Sequence, residues 1–389
     1  MLWKLQLEGH QVATCTLEPP TRCRSMFSHY TSLRMALESE QPDMVILGDN
    51  SMQGEAMVLA EELPIFGHSL GHMLSQDYTL AMRVMRDSGM WTCPVSYYSN
   101  PVSAASQYAF PEDCCMEVRI NVTPTRTWAR RALSRDQAVR IFESTDYNFG
   151  NVPVTVTEIP VGKPCTLWGV FGPNGFRRVV EVETLPGGDS CTSIPVDRSD
   201  RLYRVLLKKL IPTLQAGKFR GLVGVDYVAT QDRQYHATNI RSGVVEGETE
   251  AVVGSYGSAE SMLSEVVPGS PEEYAGARTR CVAVRVGAYE SFPYMDEEAA
   301  RNIQRLLRQR RYGDRIQEPD EVFWPARVVK GFGDVYRTCG PRFGTLVGPE
   351  KDYPALRERA KEIESGELHV VRAVREVHPL VLAASEDPH

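Results

Sequence analysis

Gly221-Leu-Val-Gly-Val-Asp-Tyr-Val-Ala-Thr230, a short polar turn, and Gln234-Tyr-His-Ala-Thr-Asn-Ile240 form the most informative stretch of this sequence. Both halves favour extended backbone, and the turn between them makes an antiparallel hairpin the natural reading. Two oxygen-bearing side chains stand in it, Asp226 on one strand and Asn239 on its partner. Arg241 follows two residues after Asn239, so an extended strand gives the two a common face. Converging Asp and Asn oxygens suit Mg²⁺, which takes one or two protein oxygens and completes its shell with water and phosphate. A guanidinium on that face can grip a phosphate or carboxylate bidentately. On pattern alone two readings stand: ordinary polar positions of a hairpin, or a hard-cation site.

The hairpin sits in a chain of 389 residues, long enough for two to four domains. Hydrophobic residues make up 42% and charged residues 24%, the balance of a globular protein and not of a disordered or disulfide-built one. Lys and Arg total 43 against 50 Asp and Glu, a net charge of −7, so no nucleic-acid partner is expected. No apolar run reaches the roughly 18–20 residues that cross a bilayer, and the opening lacks a secretory pattern, so no membrane partner is expected. The nine cysteines include no C-x-x-C pair. That pattern fits reduced thiols in a cytoplasmic protein and gives no zinc spacing.

Outward from the hairpin the texture alternates. The spacing predicts a helix over 32–40, a buried strand over 44–47, a helix over 54–62 and a strand over 63–67. Together these make a parallel sheet covered by helices. Residues 76–90 read as a helix with Leu80, Val84 and Met82 or Met85 on one face, stopped by Gly89. Strands are expected over 116–122 and 152–159, a helix over 134–144 and a hairpin at 172–175. Residues 201–214 form the clearest amphipathic helix, with Leu202, Val205, Leu206, Leu210 and Ile211 on one side. Further helices are expected over 255–266, 297–311 and 354–364, strands over 278–286 and 321–329, and a linker over 268–271. Cys114 and Cys115, beside a strand, read as core. His68 and His72 suit a helix surface or a ligand contact, and Gly187-Gly188-Asp189 a turn. The basic run 305–311 reads as a solvated helix face.

Taken in order, several segments resemble one family. The hairpin with its Asn239-Ile-Arg-Ser-Gly243 ending resembles the metal-binding hairpin of the ATP-grasp superfamily. Pro42-Asp-Met-Val-Ile-Leu-Gly48, Pro64-Ile-Phe-Gly67, the opening Leu2-Trp-Lys-Leu5, residues 154–162 and Gly340-Pro-Arg-Phe-Gly344 are similar to successive parts of phosphoribosylamine–glycine ligase. The resemblance implies an α/β and α+β ATP-grasp fold. It would have an N-terminal Rossmann-like domain over 1–75, a core lobe over 76–105 and 160–267, a small ATP lid over 106–159 and a C-terminal mixed domain over 275–389. It implies ATP and Mg²⁺ (or Mn²⁺), and a ligase that joins a carboxylate, such as glycine, to an amine, such as a phosphoribosylamine, through an acyl phosphate. Such a protein acts on small molecules as a monomer or homodimer.

Carried over position by position, Asp226 and Asn239 fall on metal ligands and Arg241 on a residue that stabilises transferred phosphoryl charge. Arg119 falls on a nucleotide-phosphate cation and Glu158 on the acidic position near the adenine hinge. The family's glycine loop is replaced by Thr123-Pro-Thr-Arg-Thr127, where Arg126, with Arg130 and Arg131, reads either as charge supplied to the nucleotide or as a solvated basic turn and helix start. The family's glutamate two residues before the asparagine is Ala237 here, with His236 and Glu246 nearby, and its helix lysine aligns near Thr79. The family also begins with a strand and glycine turn before the segment matched by Leu2-Trp-Lys-Leu5. These departures leave a second reading open, a catalytically degenerate member that binds nucleotide or a partner.

Overall fold

The computed structural model describes residues 5, 8–15, 28–47, 58, 63–67, 70, 73–74, 77–111, 114–123, 126–185, 190–243, 248–269, 280–287, 322–325, 328–330, 336–338 and 342–364. For 121–123, 126–128, 286–287, 322–325, 328–330, 336–338, 342–344 and 362–364 it describes the backbone alone. The chain divides into two compact units. One comprises Met1–Phe66, Val182–Pro195 and Val244–His389, the other Gly67–Glu181 and Val196–Gly243.

The first unit opens with β1 (Ala13–Cys15) and β2 (Ser28–Tyr30), paired in parallel. Helix α1 (Leu33–Glu40) follows, and β3 (Val45–Ile46) pairs in parallel with β4 (Ile65–Phe66). Leu33 of α1 and Ile65 of β4 are buried together against Cys15, Leu37, Val45 and Leu47. This is the parallel α/β texture read from residues 32–47 and 63–67. Of the helix expected over 54–62 only residue 58 is described, and His68 and His72 lie outside the described residues.

The second unit begins with α2 (Tyr78–Asp87), whose first turn is capped by the Asp77 carboxylate accepting the Leu80 N–H at 3.0 Å. Gly89, at φ +73°, ends it: the Gly89 N–H reaches Arg86 O and the Met90 N–H reaches Met85 O. That pair of bonds satisfies carbonyls the helix leaves open. The buried face consists of Tyr78, Ala81, Met82 and Met85, so Leu80 and Val84 flank the core instead of centring it. Strand β5 (Val95–Tyr98), α3 (Pro101–Gln107), β6 (Cys114–Thr123), β7 (Arg126–Ala132), α4 (Arg135–Phe149) and β8 (Val154–Pro160) come next. The four strands make an antiparallel sheet in the order β5-β8-β6-β7. Alternate residues Met116, Val118, Ile120, Val154 and Val156 pack with Ala104 of α3 and Ala138 and Phe142 of α4. Cys114 and Cys115 are half-buried at the start of β6, not core as expected, because the strand's first residues lie outside the helix-covered patch.

β9 (Lys163–Gly172) and β10 (Gly175–Thr184) realise the hairpin expected at 172–175. After β11 (Ser190–Val196) come α5 (Arg201–Val205), α6 (Leu207–Ala216), β12 (Gly221–Ala229) and β13 (Tyr235–Ser242). The expected helix over 201–214 is broken at Leu206, at φ −112° and ψ −94°. An unbroken helix points adjacent residues about 100° apart. The break lets Leu206 and Leu207 both enter the core, leaving Val205 and Ile211 half-buried at its margin. That core lies between α2, α5 and α6 and one face of the sheet β13-β12-β9-β10.

In the first unit the helix expected over 255–266 is three pieces: α7 (Glu248–Tyr256), α8 (Ala259–Leu263) and a 3₁₀ turn at Ser264–Val266. Gly257, at φ +83°, separates the first two. The Glu8 carboxylate accepts the Ala259 and Glu260 N–H groups at 3.1 and 3.0 Å, tying the N-terminal segment to α8. Strands β14 (Cys281–Gly287), β15 (Val322–Pro325), β16 (Val328–Lys330), β17 (Tyr336–Thr338) and β18 (Arg342–Pro349) precede α9 (Tyr353–Glu364). The strand expected over 321–329 is two, since β15 pairs with β18 while β16 pairs with β17. β11, β14, β18 and β15 form a sheet against which α7 and α9 pack. Residues 270–271 of the expected linker and the helix expected over 297–311, with its basic run, lie outside the described residues. No described helix is long and apolar enough to cross a membrane.

Candidate active site

Register decides what the hairpin can do. β12 and β13 pair antiparallel with Asp226 directly opposite Asn239 and Gly224 opposite Arg241. On its other edge β12 pairs with β9, with Asp226 opposite Thr166 and Gly224 opposite Trp168. Val223, Val225 and Tyr227 face the helix-covered core, so Asp226 and its cross-strand neighbours occupy the other face. The Arg241 Nε donates to Asp226 Oδ2 at 2.7 Å, and the Thr166 hydroxyl donates to Asp226 Oδ1 at 2.8 Å. Gly224, opposite Arg241, leaves room for the Trp168 ring, which lies where a Cβ at position 224 would sit. The Asp226 side chain is only 14% exposed, so its charge rests mainly on these two donors.

A bulge between Asp226 and Tyr227 shifts the register, so that Ala237 faces Tyr227. Ala237 is fully buried in the helix-side core, and its N–H donates to Trp91 O at 2.8 Å. The missing glutamate is therefore more than a side-chain exchange, because the bulge turns position 237 away from the Asp226 face. His236 stands opposite Val228, one step further along that face, with its ring centroid 6.2 Å from Trp91. Glu246 lies outside the described residues. Among the described residues no group of three or more His, Cys, Asp or Glu is placed to hold a metal ion. Asp226 and Asn239 nevertheless offer hard oxygens on one face. An ionised carboxylate has about four lone-pair sites, two of which are used here, so the pair fits a cation that draws its remaining ligands from phosphate.

The small sheet carries a second polar cluster. Glu117 and Arg119 share one face of β6, with Arg131 opposite Glu117 on β7 and Thr157 opposite it on β8. Arg119 Nε and Nη2 both lie 2.6 Å from Glu117 Oε1, and Arg131 Nε is 3.3 Å from Oε2. The Arg119 guanidinium also stacks 4.2 Å over the ring of Tyr78, a member of the large-sheet core. The Tyr78 hydroxyl meets the Thr157 hydroxyl at 2.6 Å, linking α2 to the small sheet. Burial pushes the Tyr78 phenol up to about 12, so it stays neutral around Arg119.

Glu158 is placed differently. It stands opposite Met116, on the helix-covered face of the small sheet, whereas Arg119 stands opposite Thr155 on the other face. The structure thus brings Asp226, Asn239 and Arg241 together, but separates Glu158 from Arg119 by the thickness of a sheet. Glu158 accepts the Tyr108 hydroxyl at 3.3 Å; burial, and then the nearby Glu158 charge, pushes that phenol up. Arg126 opens β7 opposite Thr123, and its side chain lies outside the described residues, as do Pro124 and Thr125. Thr79 is exposed at the start of α2, and the Gly187-Gly188-Asp189 turn lies outside the described residues. Sequence reading missed Thr166, Glu117 and Tyr78. The alternation of β9 and β6 marks Thr166 and Glu117 as polar members of a face, but gives no sign of their partners.

No protein-family profile matches the chain. No curated protein matches it in sequence either. Its architecture does match solved structures. N5-carboxyaminoimidazole ribonucleotide synthetase of Thermus thermophilus superposes with a TM-score of 0.59 at 14% identity, over 94% of each chain. Phosphoribosylamine–glycine ligase of Thermotoga maritima gives 0.57 at 15%, over 87% of this chain and 86% of that one. Biotin carboxylase of Campylobacter jejuni, solved as an ATP complex, gives 0.53 at 13%, over 90% and 84%. Likeness of this extent at so low an identity is a likeness of architecture, and the fold of this chain is the ATP-grasp fold.

Proposed function

We propose that the protein is an ATP-dependent ligase of the carboxylate–amine class, with Asp226, Asn239 and Arg241 at its centre. The observation that carries this reading is the hairpin face, where an acid and a carboxamide stand in register, with Arg241 and Thr166 fixing the acid. The ATP-grasp fold and its ligase neighbours support it. A divalent ion held by Asp226 and Asn239 would supply neutralisation of triphosphate charge. Transfer of the γ-phosphoryl group to a substrate carboxylate releases ADP and leaves an acyl phosphate. An amine then attacks its carbonyl carbon, losing a proton as inorganic phosphate departs. This chain's share is positioning and charge. Arg241 is fixed beside the metal pair, while Arg119 and Arg126 are the cations assigned to the nucleotide phosphates and Glu158 the acid assigned near its base. Glycine or another small amino acid, and an amine such as a phosphoribosylamine or an aminoimidazole ribonucleotide, are the substrates that the neighbours' names suggest.

The test is ADP release with Mg²⁺ across a panel of amino acids and ribonucleotide amines. Release that requires both a carboxylate and an amine is the expected result, and a folded protein with no release across the panel defeats the ligase reading. A second reading, nucleotide binding without turnover, draws on Ala237 in the core and on Arg119 committed to Glu117. Binding of Mg-ATP with no release across the panel favours it.

A further inference from the structure

Arg119 is held on two sides. Its Nε and Nη2 both lie 2.6 Å from Glu117 Oε1, so one carboxylate oxygen takes the edge of the guanidinium that carries Nε. Its Cζ lies 4.2 Å from the centre of the Tyr78 ring, which takes one face. Tyr78 is 3% exposed, and its hydroxyl meets that of Thr157, the residue of β8 directly opposite Glu117. The contacts therefore close a circuit from Glu117 to Arg119, Tyr78 and Thr157, through β6, α2 and β8. The other Glu117 oxygen, Oε2, has Arg131 Nε at 3.3 Å, which keeps the carboxylate from turning.

A face contact and an edge contact together fix both the plane of a guanidinium and its rotation within that plane. Nε–H and one hydrogen of Nη2 go to Glu117, and no other partner of Arg119 stands among the described residues. The second fork, Nη1 with the remaining hydrogen of Nη2, is therefore open. A fork of that shape grips two oxygens of one phosphate. The side chains of Glu117 and Arg119 are only 12% and 17% exposed. An ion pair so withdrawn from water repays its desolvation poorly, so stability gives little reason for it. We propose that Glu117 is a positioning residue, which with Tyr78 aims the Nη1–Nη2 fork of Arg119 at a phosphate of a nucleoside di- or triphosphate. The inference rests on the reading of Arg119 as a nucleotide cation and adds that an acid assists the binding of an anion. The charge of Glu117 opposes the ligand, while its fixed acceptor oxygen sets the grip. Glutamine separates the two effects, because it keeps the oxygen and loses the charge.

The probe is Mg-ADP, titrated calorimetrically into the whole chain and into its Glu117→Gln and Glu117→Met variants. Both variants are neutral and of similar length, so they differ in the acceptor alone. Glu117→Met should bind at least about tenfold more weakly than Glu117→Gln, the scale of one hydrogen bond to a charged group. Glu117→Ala repeats the comparison with a smaller side chain, and should match Glu117→Met. Binding by the wild type with equal dissociation constants in Glu117→Gln and Glu117→Met overturns the proposal and leaves the nucleotide reading in place. So does tighter binding in Glu117→Met and Glu117→Ala than in the wild type, which makes Glu117 a competitor for Arg119. A folded wild type that binds no Mg-ADP defeats the nucleotide reading itself, and the inference falls with it.

Discussion

Asp226 receives two donors at once, Arg241 on one oxygen and Thr166 on the other, and this decides how a metal would be felt there. A guanidinium 2.7 Å away stabilises the carboxylate and opposes a second cation. Asp226→Asn and Arg241→Ala should each lower ADP release by at least about tenfold, the scale of one electrostatic group, with circular dichroism unchanged. The two should part company in a Mg²⁺ titration. The half-saturating concentration rises in Asp226→Asn and falls or stays constant in Arg241→Ala, and an unchanged value in Asp226→Asn would remove Asp226 from the role of ligand. Tyr78 gives a pH prediction. Its phenol is raised by burial from 10.0 to about 12, so between those values the unfolded chain loses a proton that the folded one keeps. Stability is intact below pH 10 and falls as pH rises toward 12, by about 1.4 kcal/mol per pH unit for this one proton. Denaturation of Tyr78→Phe across that window should show a slope shallower by about one proton.

Among the elements, β12 carries the most constraint. It is the strand between β13 and β9, and Gly224 faces the fully buried Trp168 across the β9 pairing. A Cβ at position 224 would come within 2.7 Å of Trp168 Cδ2, in a rigid ring with no room to withdraw. Gly224→Ala should therefore cost about 1–3 kcal/mol, seen as a lower denaturant midpoint with an unchanged slope. An unaltered midpoint would show that β12 and β9 are not packed this closely. The bulge beside Asp226 works at the same scale. It allows Asn239 to stay opposite Asp226 while Ala237 enters the core, so a polar face and an apolar face share one short strand.

At the scale of the whole molecule, ATP-grasp architecture is reached with no family profile matching the sequence. The fold is kept by apolar periodicity and turns, which many sequences satisfy. Mg-ATP at 100 times its dissociation constant should stabilise the folded chain by about 2.7 kcal/mol, read as a rise in its thermal midpoint. The rise should shrink in Asp226→Asn. A wild-type midpoint indifferent to Mg-ATP would set aside both the ligase reading and the nucleotide-binding one.

By itself the sequence determined the elements and the polarity of their faces. The hairpin at 221–242, the Gly89 stop of α2 and the parallel texture of the first 66 residues are local patterns, fixed by alternation and turn chemistry. The shared face of Asn239 and Arg241 was legible for the same reason. Only the tertiary structure decided that Asp226 meets Thr166, 60 residues away, that Arg119 rests on Glu117 and Tyr78, and that Glu158 faces the other side of its sheet. It also broke the helix expected over 201–214, so that Leu206 and Leu207 could both be buried. Strand register is set by long-range packing, and a slip of one residue moves every side chain to the opposite face, so no local pattern contains that information.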